Sequence, residues 1–327
     1  MLMRSSPDTS IIVSTCRSGN SVHILIDSLL QQQGVGPFEI IVVDNSCNPQ
    51  LEREVGNIAS STEGVLRYVP EPKPGLHNVR HRGAAEAASE NLIYLDDDVA
   101  LPTSWLRGMC GRLADPEVAM VGGQVLLRFE RRPPEWMASF RGLLSELDLG
   151  LEPRRMTADE APFGCNLAIR RSLLFRVGGF NPDAFADPKL LRYRGDGEVG
   201  LAKKIRNLDL PIWYEPAASL EHLVPEQRLS PHYVEWRSMI GGIEQAYVSY
   251  RYYPRPAAIL LYRALRSFYQ SMVLARRAGP DPFEGPENVT HHIQSRRHRS
   301  CARHHLRQLA SRKLRQWTLQ DGYLPKA

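Results

Sequence analysis

The chain has 327 residues, 43% hydrophobic and 24% charged, with a net charge of +5, which suits a large α/β core with an appendage and excludes a disordered or fibrous chain. No apolar run reaches the roughly 20 residues that a membrane-spanning helix needs, and the segment 1–6 lacks the apolar core of a secretory leader, so the expected compartment is cytoplasmic. The five cysteines (Cys16, Cys47, Cys110, Cys165, Cys301) stand far apart without a C-x-x-C pair, against both a thiolate zinc site and a disulfide framework.

The first half alternates strand and helix signals. Residues 11–13 form a short buried strand, and Val22, Leu25, Ile26, Leu29 and Leu30 then recur at helical spacing until Gly34 and Gly36-Pro37. The continuous apolar run 39–44 suits a strand covered on both faces. Residues 65–69 make a third strand, 76–88 a helix, and 91–95 a strand that ends in Asp96, Asp97 and Asp98. This βαβαβ order predicts a doubly wound, mostly parallel sheet. Further on, 118–127 reads as a strand broken at Gly122-Gly123, and 129–161 is irregular. Residues 163–170 read as a strand, 172–177 as a short helix, and Gly178-Gly179-Phe180 as a turn. A helix runs from Asp196 through Ile205, and 212–215 and 217–222 read as two strands.

Charge is uneven along the chain. Residues 251–327 carry 15 Lys+Arg against 4 Asp+Glu, a net +11 that leaves residues 1–250 at −6. Two units are expected: 1–245, with a nucleotide-binding half at about 8–100 and an acceptor-binding half at about 101–245, and a basic, mainly helical extension, 246–327. The run 291–317 offers peripheral contact to an anionic membrane or acidic partner, with nucleic acid the poorer fit. A solvated helical face or flexible end explains the same charge.

Three adjacent acids at a strand's carboxyl end deliver oxygen ligands to the crevice where open α/β sheets bind ligands, and hard cations prefer such oxygens. Helix capping or a solvated turn would use the same residues. An EF-hand is excluded, because Leu101 and Arg107 replace its Gly and Glu. No phosphate-cradling glycine loop follows the first strand, so metal and arginine must hold any phosphate. Arg80 and Arg82 precede the acidic strand; one is a candidate for a diphosphate and the other a surface charge. Asp44 ends its strand, either to accept a uracil imide or to close a turn. Asp196 and Glu198 form a second acid pair, suited to general base work or to capping a helix. His222 is a candidate imidazole ligand to the cation. Cys165 has no partnered histidine evident from spacing and reads, like the other cysteines, as an ordinary reduced thiol.

Taken in order, Ile11-Ile-Val-Ser-Thr15, Glu39-Ile-Ile-Val-Val-Asp44-Asn-Ser46, Gly75-Leu-His-Asn-Val-Arg80, Leu95-Asp-Asp-Asp98, Asn166-Leu-Ala-Ile-Arg-Arg171, Val177-Gly-Gly-Phe180, Asp196-Gly-Glu198 and Tyr214-Glu-Pro216 with His222 resemble glycosyltransferase family 2. The resemblance covers about residues 8–240. It implies a GT-A fold, a nucleotide-sugar donor with UDP first, a divalent cation (Mn²⁺ or Mg²⁺), and inversion at the anomeric carbon. It also implies nucleotide-sugar contacts from Ser14, Thr15, Asp44, Arg80, Asp96 and Asp97, with Asp97 the most structural of them. Metal would be held by Asp98 and His222, and the base would be Asp196 or Glu198. Gly195 stands where the family commonly has Glu, and Cys16 and Arg17 replace a usual Tyr and Asn. The acceptor would be a carbohydrate, lipid-linked or other hydroxyl. A sugar-phosphate nucleotidyltransferase would need the missing glycine loop, and a vestigial scaffold would not need the acids kept here.

Overall fold

The computed structural model describes residues 7–16, 21–62, 64–253 and 256–324. Strands β1 (Thr9–Thr15), β2 (Phe38–Asp44), β3 (Leu66–Pro70) and β4 (Asn91–Asp96) form the parallel half of one sheet, in the order β3-β2-β1-β4. Helices α1 (Ser21–Leu30), α2 (Pro49–Ser61) and α3 (Leu76–Glu86) make the crossovers. Residues 11–13 and 40–43 are fully buried, as an unbroken apolar run requires of a strand covered on both faces. Helix α2 was hidden in the turn signals of 45–49. The same residues start it: the Asn48 side chain accepts from Gln50 N–H, and Pro49 supplies the preset first-turn φ.

The second half is mixed. β8 (Leu167–Arg170) runs antiparallel between β4 and β6 (Met120–Phe129), and β9 (Ile212–Val224) pairs parallel with β6. β5 (Val99–Ala100) and β7 (Arg154–Arg155) add antiparallel to β9. The two strands expected on either side of Pro216 are one strand. Gly123 pairs with Glu215 and Val125 with Leu220, so residues 216–219 bulge out and Pro216 owes no hydrogen bond to the ladder. A β-carbon on Gly123 would stand 2.3 Å from the Ala218 carbonyl oxygen, so only glycine fits there. Helices α4 (Trp105–Leu113), α5 (Arg171–Arg176) and α6 (Gly197–Arg206) flank this half. The stretch expected to be irregular contains a 3₁₀ helix, Glu135–Leu144, whose Met137, Phe140 and Leu144 join a second core with Val234, Val289 and Ile293.

Helices α7 (Pro231–Tyr252), α8 (Ala257–Arg277), α9 (Pro286–Ala310) and α10 (Arg312–Thr318) complete the chain. The expected boundary at 245/246 falls inside α7, whose backbone runs unbroken across it. α9 packs against both α7 and α8, burying Val289, Ile293, Cys301 and Ala302. Part of the basic run is spent inside the fold. Arg296 pairs with Glu235 at 2.6 Å, and Arg315 donates to the Gln308 and Leu309 carbonyls, each at 2.7 Å. Among the described residues, no helix is long and apolar enough to cross a membrane.

Candidate active site

The parallel register brings the expected residues to one sheet edge: Thr15 lies opposite Asp44, and Ser14 opposite Asp96. Asp44 is fully buried and accepts four bonds, from Ser46 N–H (2.7 Å), Ser46 hydroxyl (2.6 Å), Asn48 N–H (2.8 Å) and Tyr68 hydroxyl (2.9 Å). The turn role is therefore realised, and the carboxylate's four lone-pair directions are taken. Thr15 donates to Asp97 at 2.6 Å and turns that carboxylate inward. The Ser14 hydroxyl is buried at the edge with no hydrogen bond among the described residues. Arg17 lies outside the described residues.

Arg80 is the hub of a second group. Its guanidinium is 1% exposed, donates to Glu198 at 2.9 Å, and stands 3.6 Å from Asp96 and 3.9 Å from Asp183. Its carbon centre lies 5.2 Å from the centre of the Phe180 ring. Burial alone would favour a neutral guanidine, but Glu198, Asp96 and Asp183 raise its pKa above the ordinary value. Burial pushes the Glu198 and Asp96 carboxyls upward against the pull of Arg80. Asp183 is held low: burial would raise it, but Arg194 (2.8 Å) and Arg80 outweigh that. Gly164 closes the back of the pair, its N–H donating to Glu198 at 2.9 Å. A β-carbon there would come within 2.0 Å of the Arg80 guanidinium. Arg82 is the surface charge of the two arginines, paired with Glu86 one helical turn away at 2.8 Å.

The third group joins the two expected metal ligands. Pairing of Val99 with His222 brings Asp98 Oδ1 to 3.2 Å from His222 Nε2. The other ring nitrogen, Nδ1, lies 2.7 Å from the Leu144 carbonyl oxygen, which makes it the donor and leaves Nε2 facing the acids. Arg228, on the 3₁₀ helix Glu226–Leu229, donates to Asp98 Oδ2 at 2.7 Å and reaches 3.3 Å from His222 Nε2. Burial would raise the Asp98 pKa, but His222 and Arg228 hold it far below the usual carboxylate range. Burial would lower that of His222, but Asp98 raises it. Asp96 feels the charges of Arg80, Asp98 and His222, which makes it the link between the two arginine groups.

Asp196 stands apart from both. It occupies the position before α6, yet its side chain makes no capping bond. Its oxygens accept from Asn181 (2.7 Å) and from the hydroxyl of Tyr252 on α7 (2.9 Å), and it is 3% exposed. Cys165 is buried and burial pushes its thiol well up, the opposite of the shift that activates a cysteine nucleophile.

Residues 10–177, just over half of the chain, match the family model for glycosyl transferase family 2. The chain belongs to this family. It is 25% identical over 221 residues to the pre-mycofactocin glycosyltransferase of Mycobacterium tuberculosis, covering 66% of this chain and 42% of that protein. To N-acetylgalactosaminyltransferase 7 of Drosophila melanogaster it is 26% identical over 239 residues, covering 66% of this chain and 39% of that protein. It thus spans less than half the length of these curated relatives. Its fold resembles that of the mannosyltransferase PcManGT from Pyrobaculum calidifontis in complex with GDP-Man and Mn²⁺, with a TM-score of 0.59, 19% identity, and 94% and 88% of the two chains covered. GalNAc-T7 with UDP, GalNAc and Mn²⁺ gives a TM-score of 0.54 at 15% identity, covering 88% of this chain and 54% of that one. The fold is of the GT-A type, and these likenesses at low identity concern the fold alone.

For a family 2 member, the donor set at Asp98 and His222 fits a divalent cation of the open kind. One carboxylate and one imidazole nitrogen face a shared point, the imidazole is oriented by a carbonyl, and substrate oxygens would complete the shell. Among the described residues no cluster of three or more His, Cys, Asp or Glu side chains forms a closed metal site. Asp183, Arg194 and Tyr252 are not among the residues expected from the sequence: they sit in loops or distant helices where no periodicity points at the sheet edge. Arg228 falls in the run His222-Leu-Val-Pro-Glu-Gln-Arg228, which fits the family resemblance but assigns it no role.

Proposed function

We propose that this chain is an inverting glycosyltransferase moving a sugar from a nucleotide sugar, UDP-linked as first choice, to an acceptor hydroxyl in glycoconjugate or polysaccharide synthesis. The observation that carries the reading is the Asp98–His222 pair, already bridged by a guanidinium, beside Asp96 at the carboxyl edge of the sheet. That point attracts one positive charge as it stands, and the two solved neighbours were each determined with Mn²⁺ together with a nucleotide or nucleotide sugar. A bound cation would supply charge neutralisation at the departing diphosphate.

In this reading the residues of the chain do the rest. Ser14, with its unbonded buried hydroxyl, and Asp96 face the nucleotide. Asp44, Thr15 and Asp97 hold the edge in shape through their internal bonds. Arg228 swings its planar fork from Asp98 to the diphosphate oxygens, which it suits better than a point charge would. Arg80 stays buried and fixes Glu198 beside Asp96. The acceptor oxygen attacks the anomeric carbon from the face opposite the diphosphate; the bond from that carbon to the phosphate oxygen breaks, and the acceptor proton passes to a carboxylate. Of the acid pair, we assign that proton to Glu198, whose upward-shifted carboxyl borders Asp96, and give Asp196 the task of tying α6 to α7 through Tyr252.

A panel of nucleotide sugars, with and without Mn²⁺ or Mg²⁺, tests the function by release of nucleoside diphosphate. At least one donor should be hydrolysed or transferred in a metal-dependent way. Absence of turnover and of binding for every donor with either ion would overturn the reading.

A further inference from the structure

The helical extension presents a face that none of the described residues covers. On α8, Leu261, Tyr262, Leu265, Phe268, Tyr269 and Met272 are between 39% and 64% exposed. At 3.6 residues per turn these positions fall on one stripe, wider than about 100°. The opposite face is the packed one: Leu260, Ala264, Ser267 and Ser271 are buried, and the Ser271 hydroxyl meets that of Ser295 on α9 at 3.2 Å. An outward run of large apolar and aromatic side chains on a helix already docked by its other side is an interaction surface.

Charge says what it meets. α8 carries four arginines and no acidic residue. Arg263 is turned inward onto the Ser249 carbonyl at 3.0 Å, while Arg266, Arg276 and Arg277 are exposed beside or beyond the stripe. Two copies stacked face to face would bring like-charged rows together with no acid on α8 to answer them. A bilayer with anionic headgroups answers both features. It accepts Leu, Phe and Met below the headgroups, seats tyrosines at the boundary, and attracts the flanking guanidinium groups.

We infer that the exposed face of α8 docks this protein on an anionic membrane surface, lying in the plane of the interface. This moves the membrane contact from the run 291–317, part of which is spent on internal bonds, to residues 257–277. The inference is independent of the donor chemistry proposed above.

The test is co-sedimentation of the full chain with vesicles of phosphatidylcholine plus phosphatidylglycerol, against phosphatidylcholine alone. Binding should favour the anionic vesicles, weaken with salt, and fall about tenfold or more in Leu265→Glu/Phe268→Glu. Arg266→Glu/Arg276→Glu should weaken it as well, and a Tyr262→Trp probe should be quenched by brominated lipid chains. All these positions are exposed, so thermal melting and nucleotide binding should stay unchanged. Failure to bind anionic vesicles, or equal binding by the Leu265/Phe268 variant, would overturn the inference. So would a dimer in sedimentation velocity that this variant dissolves while vesicles go unbound, because the occupant would then be a second copy.

Discussion

Two arginines meet acids at the same sheet edge under opposite conditions. Arg80 is 1% exposed and surrounded by Glu198, Asp96 and Asp183, whereas Arg228 is 12% exposed and rides on a short 3₁₀ helix over Asp98 and His222. The first charge has nowhere to go. Removing it leaves buried carboxylates uncompensated, so it belongs to the fold as much as to the site. In the proposed reading the second swings away and uncovers a carboxylate and an imidazole for another cation. A guanidinium bonded to acids is thus structural or exchangeable according to its burial and to what carries it.

The strongest way to break this contrast is Arg80→Met, which keeps the side-chain length and deletes the charge. We expect a loss of about 3–5 kcal/mol in folding stability, read by denaturant unfolding, because the carboxylates are left unpaired. Near-wild-type stability would make Arg80 as exchangeable as Arg228. Next comes the proton acceptor. Glu198→Gln should lower turnover by about 10²- to 10⁴-fold with nucleotide binding retained, and Asp196→Asn should cost less in turnover and more in thermal stability. The reverse order would give the base to Asp196. Arg228→Ala should produce the smallest change: a stability loss clearly smaller than that of Arg80→Met, because His222 still faces Asp98, with about tenfold weaker binding of nucleoside diphosphate at unchanged or tighter Mn²⁺ affinity. If its melting point fell as far as that of Arg80→Met, the two arginines would not differ in kind.

Much of the site was legible because strand ends leave a strong mark. An unbroken apolar run followed by acids locates a covered strand and its carboxyl edge, which puts Asp44, Asp96, Asp97 and Asp98 at that edge from the sequence alone. The family resemblance implies that Asp98 and His222 meet, and they stand 3.2 Å apart. Physical reasons limit the remainder. Arg80 and Arg82 lie on one helix of weak amphipathic pattern, and only packing separates the buried hub from the surface charge. Asp196 occupies a capping position, but its partner Tyr252 is 56 residues away, and no local rule reaches that far. Pro216 suggested a break in the strand because a bulge that spares its missing N–H depends on the facing Gly123. The apolar period of α8 identifies a helix but not which face is covered; that is decided by α9, whose serines and small residues choose the other side.

In the proposed function Asp98 and His222 make the cation-dependent seat for the donor's diphosphate. Calorimetric titration of UDP into wild type and Asp98→Ala, each with and without Mn²⁺, tests it most directly. We expect Mn²⁺ to tighten UDP binding to the wild type and to leave that of Asp98→Ala unchanged, with the metal-free affinities of the two proteins alike. An Asp98→Ala protein whose UDP binding still tightens with Mn²⁺ as the wild type's does would contradict the claim.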